Sequence, residues 1–179
     1  SLFATADFVV DVGGEYDAAR NRFDHHQKDG AGVRKNGIPF AAFGLVWKKF
    51  GEKLSGSTDA AASLETRLVV PIDAHDNGVD IASARFESVS PYEVSDVIKA
   101  FTPTSEEEQN LDARFADAAS FAKRILEREI ARVQARIKGE RAVALAYEAA
   151  ADRRLIILPE DYSWKETLSK FPEPLFVVH

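Results

Sequence analysis

The chain of 179 residues has no cysteine. That excludes disulfides, thiolate metal ligands and a cysteine nucleophile. Nothing in it needs an oxidising compartment, so the expected location is intracellular, cytoplasmic by default. Methionine is also missing, even at residue 1, so organelle targeting is not readable. No apolar run is long enough to cross a bilayer and no signal-peptide pattern opens the chain, so no membrane association is expected. Basic residues are in the minority, 23 Lys and Arg against 29 Asp and Glu, giving a net charge of −6. A protein that holds nucleic acid mainly by neutralising phosphates is usually basic. The balance argues against a general DNA-coating role. It leaves room for phosphate binding through metal ions, because metal-binding carboxylates count as negative until the cation is present.

What is there is enough for a core. Hydrophobic residues make up 45% of the chain, which excludes a disordered polymer. The length suits one domain or one and a half. The chain opens Ser1-Leu2-Phe3, close to a strand-like apolar run, and closes on Pro174-Leu175-Phe176-Val177-Val178-His179. Termini are usually polar and frayed, so a segment of a longer protein is expected.

Phe8 to Val12 reads as a short buried strand stopped by Gly13-Gly14. A parallel return needs a dozen or more connecting residues, so Glu15 to His26 reads as a hairpin or tight bend with Arg22-Phe23-Asp24 as the returning arm. Lys28 to Gly37 is a glycine-rich basic loop. Pro39 suits the first turn of a helix that carries Phe40, Phe43, Leu45, Val46, Trp47 and Phe50 and stops near Gly51. A second helical stretch runs from about Thr58 to the Asp73–Gly78 segment, and a short helix follows Ser90-Pro91. The longest helix is expected to start at Ser105, with Ser105 and Glu108 as a capping box and Glu106 and Glu107 at its positive end. Its apolar stripe runs from Leu111 and Phe115 to Val133 and Ile137, and Gly139 is a candidate break before a further run to about Ala150. Leu155 to Leu158 and Leu175 to Val178 read as short strands, with a helical turn around Trp164 to Phe171 between them. There is no internal repeat and no low-complexity segment.

Three stretches carry chemistry. Asp11 ends an apolar run, where an ionised carboxylate is costly unless paired, hydrogen-bonded or bound to metal. Carboxyl ends of strands are also where open α/β sheets place ligands. The plainer reading is a turn-forming aspartate bonded to a nearby backbone N–H. Asp24-His25-His26-Gln27 offers imidazoles and a carboxylate within one turn of chain. That donor set suits manganese, zinc or iron, whereas carboxylate alone suits magnesium; the alternative is a solvated polar loop. Asp73-Ala74-His75-Asp76-Asn77-Gly78 places two aspartates and a histidine after an apolar run. It also reads as a helix end with Asn77-Gly78 as a left-handed cap, and both readings can hold together. Of the four histidines, only His179 lies outside these clusters.

The ordered set of motifs resembles the Myg-type exonuclease family of the DHH phosphoesterase superfamily. The resemblance rests on Asp11-Val12-Gly13-Gly14-Glu15-Tyr16-Asp17, Arg22-Phe23-Asp24-His25-His26-Gln27 and the glycine-containing Phe43-Gly44-Leu45-Val46-Trp47-Lys48-Lys49-Phe50-Gly51. It continues through Asp73-Ala74-His75-Asp76-Asn77-Gly78 to Ser163-Trp164-Lys165-Glu166, and so spans nearly the whole chain. Family members carry an earlier motif, roughly Thr-His-x-Gly-x-Phe-His-x-Asp-Glu, and continue beyond position 179; neither is in this sequence. The expectation is an internal segment that lacks the first metal motif.

The resemblance implies an α/β fold: a DHH phosphoesterase-like sheet with flanking helices, a long central helix, and the start of a second small α/β domain. The implied divisions are a partial catalytic domain over 1–104, a connector helix over 105–151 and the start of a C-terminal domain over 152–179. It further implies a phosphodiester hydrolase with two divalent metal ions, manganese or else magnesium, acting on RNA or short oligonucleotides. By analogy Asp11 bridges the two ions, His25 is a ligand supported by Asp24, and His26 contacts the scissile phosphate. Asp76 is the further carboxylate ligand, with Asp73 its rival. Two ions about 3.5–4 Å apart would activate a water and stabilise the attacking and leaving oxygens. Lys28, Arg34 and Lys35 are candidates for holding phosphate at the rim. Two other readings stand beside this one. One is a small-molecule phosphohydrolase acting on pyrophosphate or a nucleotide. The other is a non-catalytic helical interaction module built around the Ser105–Ala150 helix.

Overall fold

The computed structural model describes residues 2–105, 107 and 110–179, without the side chain of Leu2. It is a mixed α/β structure with two small sheets and two compact units, Ser1–Arg128 and Glu129–His179. No helix among the described residues is long and apolar enough to cross a membrane.

The first unit opens with a helical turn, α1 (Leu2–Thr5), ahead of the expected strand. Strand β1 covers only Val9–Val10, and only Val9 of the Phe8–Val12 run is buried. The run stops early because Asp11 takes the left-handed conformation, φ 62°, which a β ladder does not accept. β2 (Tyr16–Asp17) and β3 (Arg22–Phe23) form the hairpin, with the Asp17 carboxylate accepting from the Ala19 N–H at 2.9 Å. β3 then lies between its neighbours in the order β1-β3-β2, parallel to β1. Thus residues 11–21 do make a parallel return, by way of an outer antiparallel strand rather than a helix. The buried Arg22 guanidinium donates to the carbonyls of Phe3 and Arg20 at 2.9 and 2.8 Å, which offsets part of the cost of burying it.

α2 (Ala42–Ser55) starts after Pro39, which instead pairs with Val33 in an isolated bridge. The helix runs through Gly51 and ends at Gly56, φ 83°. Gly51 is tolerated inside it because the Trp47 ring packs over the glycine: an added Cβ would lie 2.7–2.9 Å from ring atoms. Leu45 and Phe23 are fully buried, and Phe50 meets Phe23 edge-on at 6.0 Å, so α2 backs the small sheet.

α3 (Thr58–Leu64) is capped by Ser57, whose hydroxyl accepts from the Ala60 N–H at 3.2 Å. It continues through a single π-helical stretch, Glu65–Val69, into α4 (Val70–Asp76). Pro71 explains the widened turn: it has no N–H to donate, and its ring would press on the preceding turn of a regular helix. α4 closes in a Schellman arrangement, with Gly78 at φ 66° and bonds from Gly78 N–H to His75 O and Val79 N–H to Ala74 O. The left-handed cap expected here is therefore present. α5 (Val94–Lys99) carries a capping box from Glu93 and Asp96.

α6 (Leu111–Ala149) begins later than Ser105. Asn110 caps it, its side-chain oxygen accepting from the Ala113 N–H at 3.1 Å. Glu106 and Glu108, assigned above to its first turn, lie outside the described residues. Leu111 and Phe115 are exposed, so the buried part of the stripe starts further along. Within the first unit, Ala122, Ile125 and Leu126 of α6 line an apolar hollow with Phe43, Leu68 and Ile72.

In the second unit Gly139 does not break α6. It is buried where the Tyr162 ring crosses the helix. β4 (Leu155–Ile157) and β5 (Phe176–Val178) pair in parallel, joined through α7 (Lys165–Leu168). Ile156, Leu158 and Leu168 pack on Val143 and Tyr147 of α6 to make this unit's core.

Candidate metal centre

Asp11, His25 and Asp76 come from three separate stretches and meet. His25 Nε2 lies 3.4 Å from Asp11 Oδ1 and 3.3 Å from Asp76 Oδ2. Each is placed by a local device. Asp11 sits in its left-handed turn, pinned by a 3.0 Å bond from its N–H to the Phe23 carbonyl. Such a conformation costs about 1–3 kcal/mol in a non-glycine residue and tends to persist at functional sites. His25 lies two residues past β3, and Asp76 is the last residue of α4. The His25 side chain is only 8% exposed, whereas those of Asp11 and Asp76 are 55% and 50% exposed. The imidazole is thus the floor of a cluster whose carboxylates open to solvent.

Two carboxylates aimed at one nitrogen exceed what a single N–H can satisfy. A divalent cation would relieve that excess of negative charge, and imidazole with carboxylate suits manganese, zinc or iron. Among the described residues, ligand atoms of Asp11, His25 and His26 all lie within 4.8 Å of one another. The donor set therefore fits a cation, and the half-exposed carboxylates leave a face open to a second ligand.

Asp24 supports this cluster from below. It is buried, and its Oδ1 accepts from the His26 backbone N–H at 3.1 Å and faces His26 Nδ1 at 2.7 Å. Its other oxygen accepts from the Gly14 N–H, which the glycine pair presents at positive φ. Burial works to raise the Asp24 carboxyl. The bonds from Gly14, from the His26 ring and N–H, and from the His25 N–H outweigh it and hold the group at about 2. The same Asp24 contact raises the pKa of His26, against a smaller desolvation effect, with Asp11 and Asp76 adding to the rise. An Asp24 carboxylate on Nδ1 fixes that proton and leaves Nε2 for another partner.

The remaining expected site residues are placed elsewhere. Asp73 does not join the cluster. Its fully buried carboxylate accepts from the Gly44 N–H at 2.9 Å and from Arg34 Nη2 at 2.7 Å. Burial raises its pKa, opposed by the Arg34 hydrogen bond and charge and by backbone bonds at Ala41 and Gly44. Arg34 is likewise not a phosphate contact at the rim. Its guanidinium is buried, held by Asp73, by Glu65 at 2.6 Å and by the Pro39 carbonyl at 3.0 Å, and stacked on Phe40. Lys28 and Lys35 are exposed loop residues. His75 turns away toward Glu93, 4.0 Å distant, so one of the three clustered histidines is not at the centre. Sequence reasoning missed the Arg34–Asp73–Gly44 association. Its signal was Gly44 itself, a glycine inside an otherwise apolar helical pattern, where close approach of another group is a usual reason.

Comparison with known proteins adds a family. A profile of the MYG1 exonuclease type, described as Uncharacterised protein family (UPF0160), matches residues 1–177. The MYG1 exonuclease of Rattus norvegicus is 28% identical over 194 aligned positions, covering 92% of this chain and 50% of the rat protein. A MYG1 protein of Chlamydia pneumoniae is 32% identical over 120 residues, 67% of this chain and 38% of its own. The MYG1 exonuclease of Homo sapiens is 34% identical over 94 residues, 42% of this chain and 25% of its own. The chain thus spans half or less of these relatives. No solved structure matches.

Proposed function

This chain belongs to the MYG1 exonuclease family (UPF0160), and on that premise we propose that it contributes the metal-binding face of a phosphodiester hydrolase acting on nucleic acid, with RNA or short oligonucleotides as substrate. The rat and human relatives carry the name exonuclease. The fold we assign is DHH phosphoesterase-like. The observation that carries the reading is the convergence of Asp11 and Asp76 on His25 Nε2, at 3.4 and 3.3 Å, from stretches far apart in the chain.

Within this reading Asp11, His25 and Asp76 hold divalent cations, with manganese favoured and magnesium the alternative. Such cations supply an activated water and charge stabilisation on the phosphate. Asp24 keeps the His26 ring oriented and more readily protonated. His26, more exposed than His25, then offers its Nε2 edge to a phosphate oxygen. The net charge of −6 suits recognition of the phosphate at this cluster rather than over a basic surface.

The test is cleavage of a 5′-labelled short RNA by the full-length natural protein with added Mn²⁺, beside Asp11→Ala and His25→Ala variants. Metal-dependent shortening by the unmodified protein and its loss in both variants is the expected result. Metal-independent cleavage, or variants as active as the parent, would refute the assignment. Hydrolysis of bis(p-nitrophenyl) phosphate without any action on RNA would move the substrate to small phosphoesters.

A further inference from the structure

One buried guanidinium ties together the two stretches that deliver His25 and Asp76. Arg34 lies in the loop that follows the His25-His26 pair. Its Nε donates to Glu65 at 2.6 Å, at the start of the π-helical turn, and its Nη2 to Asp73 at 2.7 Å, one turn before Asp76. The third arm, Nη1, donates to the Pro39 carbonyl at 3.0 Å, just before α2. Asp73 then uses its other oxygen on the Gly44 N–H at 2.9 Å. That N–H is one of the orphan donors at the start of α2, and Ala41, at the cap position, has no side-chain bond to give it. A carboxylate from α4 therefore caps α2.

We propose that Arg34, Asp73 and Gly44 form a positioning clamp that sets the register of α4 and so holds Asp76 at the distance from His25 that cation binding needs. This rests on the metal-centre reading above. Asp73 and Asp76 are three residues apart on α4, so fixing the first fixes the direction of the second. The clamp has no slack. Arg34 is 8% exposed and Asp73 fully buried, and a Cβ on residue 44 would overlap Asp73 and Arg34, 2.8 Å from Asp73 Cγ. Asn77 closes the same turn, its side-chain amide donating to the Asp73 carbonyl at 2.8 Å. Asp76 itself is half exposed and pairs with His25, so its placement comes from the helix that carries it. Metal–ligand distances tolerate only about 0.2 Å of error, and groups that orient ligands typically change affinity by about 10–100-fold.

The experiment is Mn²⁺ affinity, measured by isothermal titration and by loss of the free-ion paramagnetic resonance signal, on the full-length natural protein. The variants are Arg34→Lys, Glu65→Gln, Gly44→Ala and His25→Ala, with Lys53→Ala, an exposed residue of α2, as a control. Circular dichroism melts set a working temperature at which every variant is folded. The expected result is loss of binding in His25→Ala and a weakening of about 10–100-fold in Arg34→Lys and Gly44→Ala. Glu65→Gln should show a smaller loss and Lys53→Ala none. Unmodified protein that binds Mn²⁺, with His25→Ala not binding and folded Arg34→Lys and Glu65→Gln binding like the parent, would overturn the clamp and leave the metal centre standing. Unmodified protein that binds no Mn²⁺ would overturn both.

Discussion

Replacing Gly44 with alanine adds one carbon to a helix, normally a gain of about 0.5–1 kcal/mol from reduced backbone freedom. Here the carbon has nowhere to go. Its position falls inside the Asp73 carboxylate and against the Arg34 guanidinium, with Asp73 Cγ at 2.8 Å. Both neighbours are buried, and neither is the free end of a flexible chain. Either the carboxylate swings away from Arg34, or α2 and α4 separate. Parting a buried ion pair so that each charge is left incompletely partnered costs about 3–5 kcal/mol. Losing the carboxylate cap on α2 costs about 1 kcal/mol more. Set against the helix gain, and allowing some relaxation, the net destabilisation should be about 2–4 kcal/mol. Against a total stability of about 5–15 kcal/mol this is severe. In urea, with a slope of about 1–3 kcal/mol per molar, the midpoint should fall by about 1–2 M. A Gly44→Ala protein with an unchanged or higher midpoint would refute the reasoning, because the helix gain would then stand alone and Asp73 could not be locked as described.

Gly139→Ala provides the contrast. The atom nearest to the added Cβ would be Cδ1 of the Tyr162 ring, 3.3 Å away, so a small ring shift absorbs it, and thermal melts should show a change within about 1 kcal/mol. Asn110→Ala should cost about 1 kcal/mol in denaturant titration by removing the cap of α6. In metal-free protein, Asp24 makes stability depend on pH. Its pKa is depressed from 3.8 to about 2, so its contribution of about 2 kcal/mol is fully present above the unfolded value and is lost as pH falls through the folded one. Asp24→Asn should flatten that stretch of the stability–pH curve while leaving the rest in place, and a curve unchanged by the substitution would contradict the assigned network.

Much of this site was legible in the sequence because its parts are local. Asp11 at the end of an apolar run, the Asp24-His25-His26 tripeptide and an Asn77-Gly78 helix end each announce themselves within a few residues. What was not legible depends on distant partners. Asp73 and Asp76 are equally acidic and only three residues apart, and nothing local distinguishes them. The distinction comes from Arg34, thirty-nine positions away from Asp73 in the chain, which satisfies one and not the other. Arg34 itself reads as a loop cation until its three acceptors are known. The boundaries went astray for the same reason. Gly51 and Gly139 look like helix breakers, yet each gives room to a ring, from Trp47 and Tyr162. The β1 strand ends early because Asp11 takes the left-handed conformation, which a ladder does not accept.

The widened turn at Glu65–Val69 holds one more residue than a regular helical path would need. Were the segment to rewind as an uninterrupted α-helix with all its residues kept, everything after it would rotate by about 100°. Asp73 would swing off its guanidinium and Asp76 off its imidazole together, with no acidic group deleted. The extra residue and the widened turn offset one another, so a relative that lacks one residue between Leu64 and Val70 would follow a plain helix and still present both aspartates to the same partners.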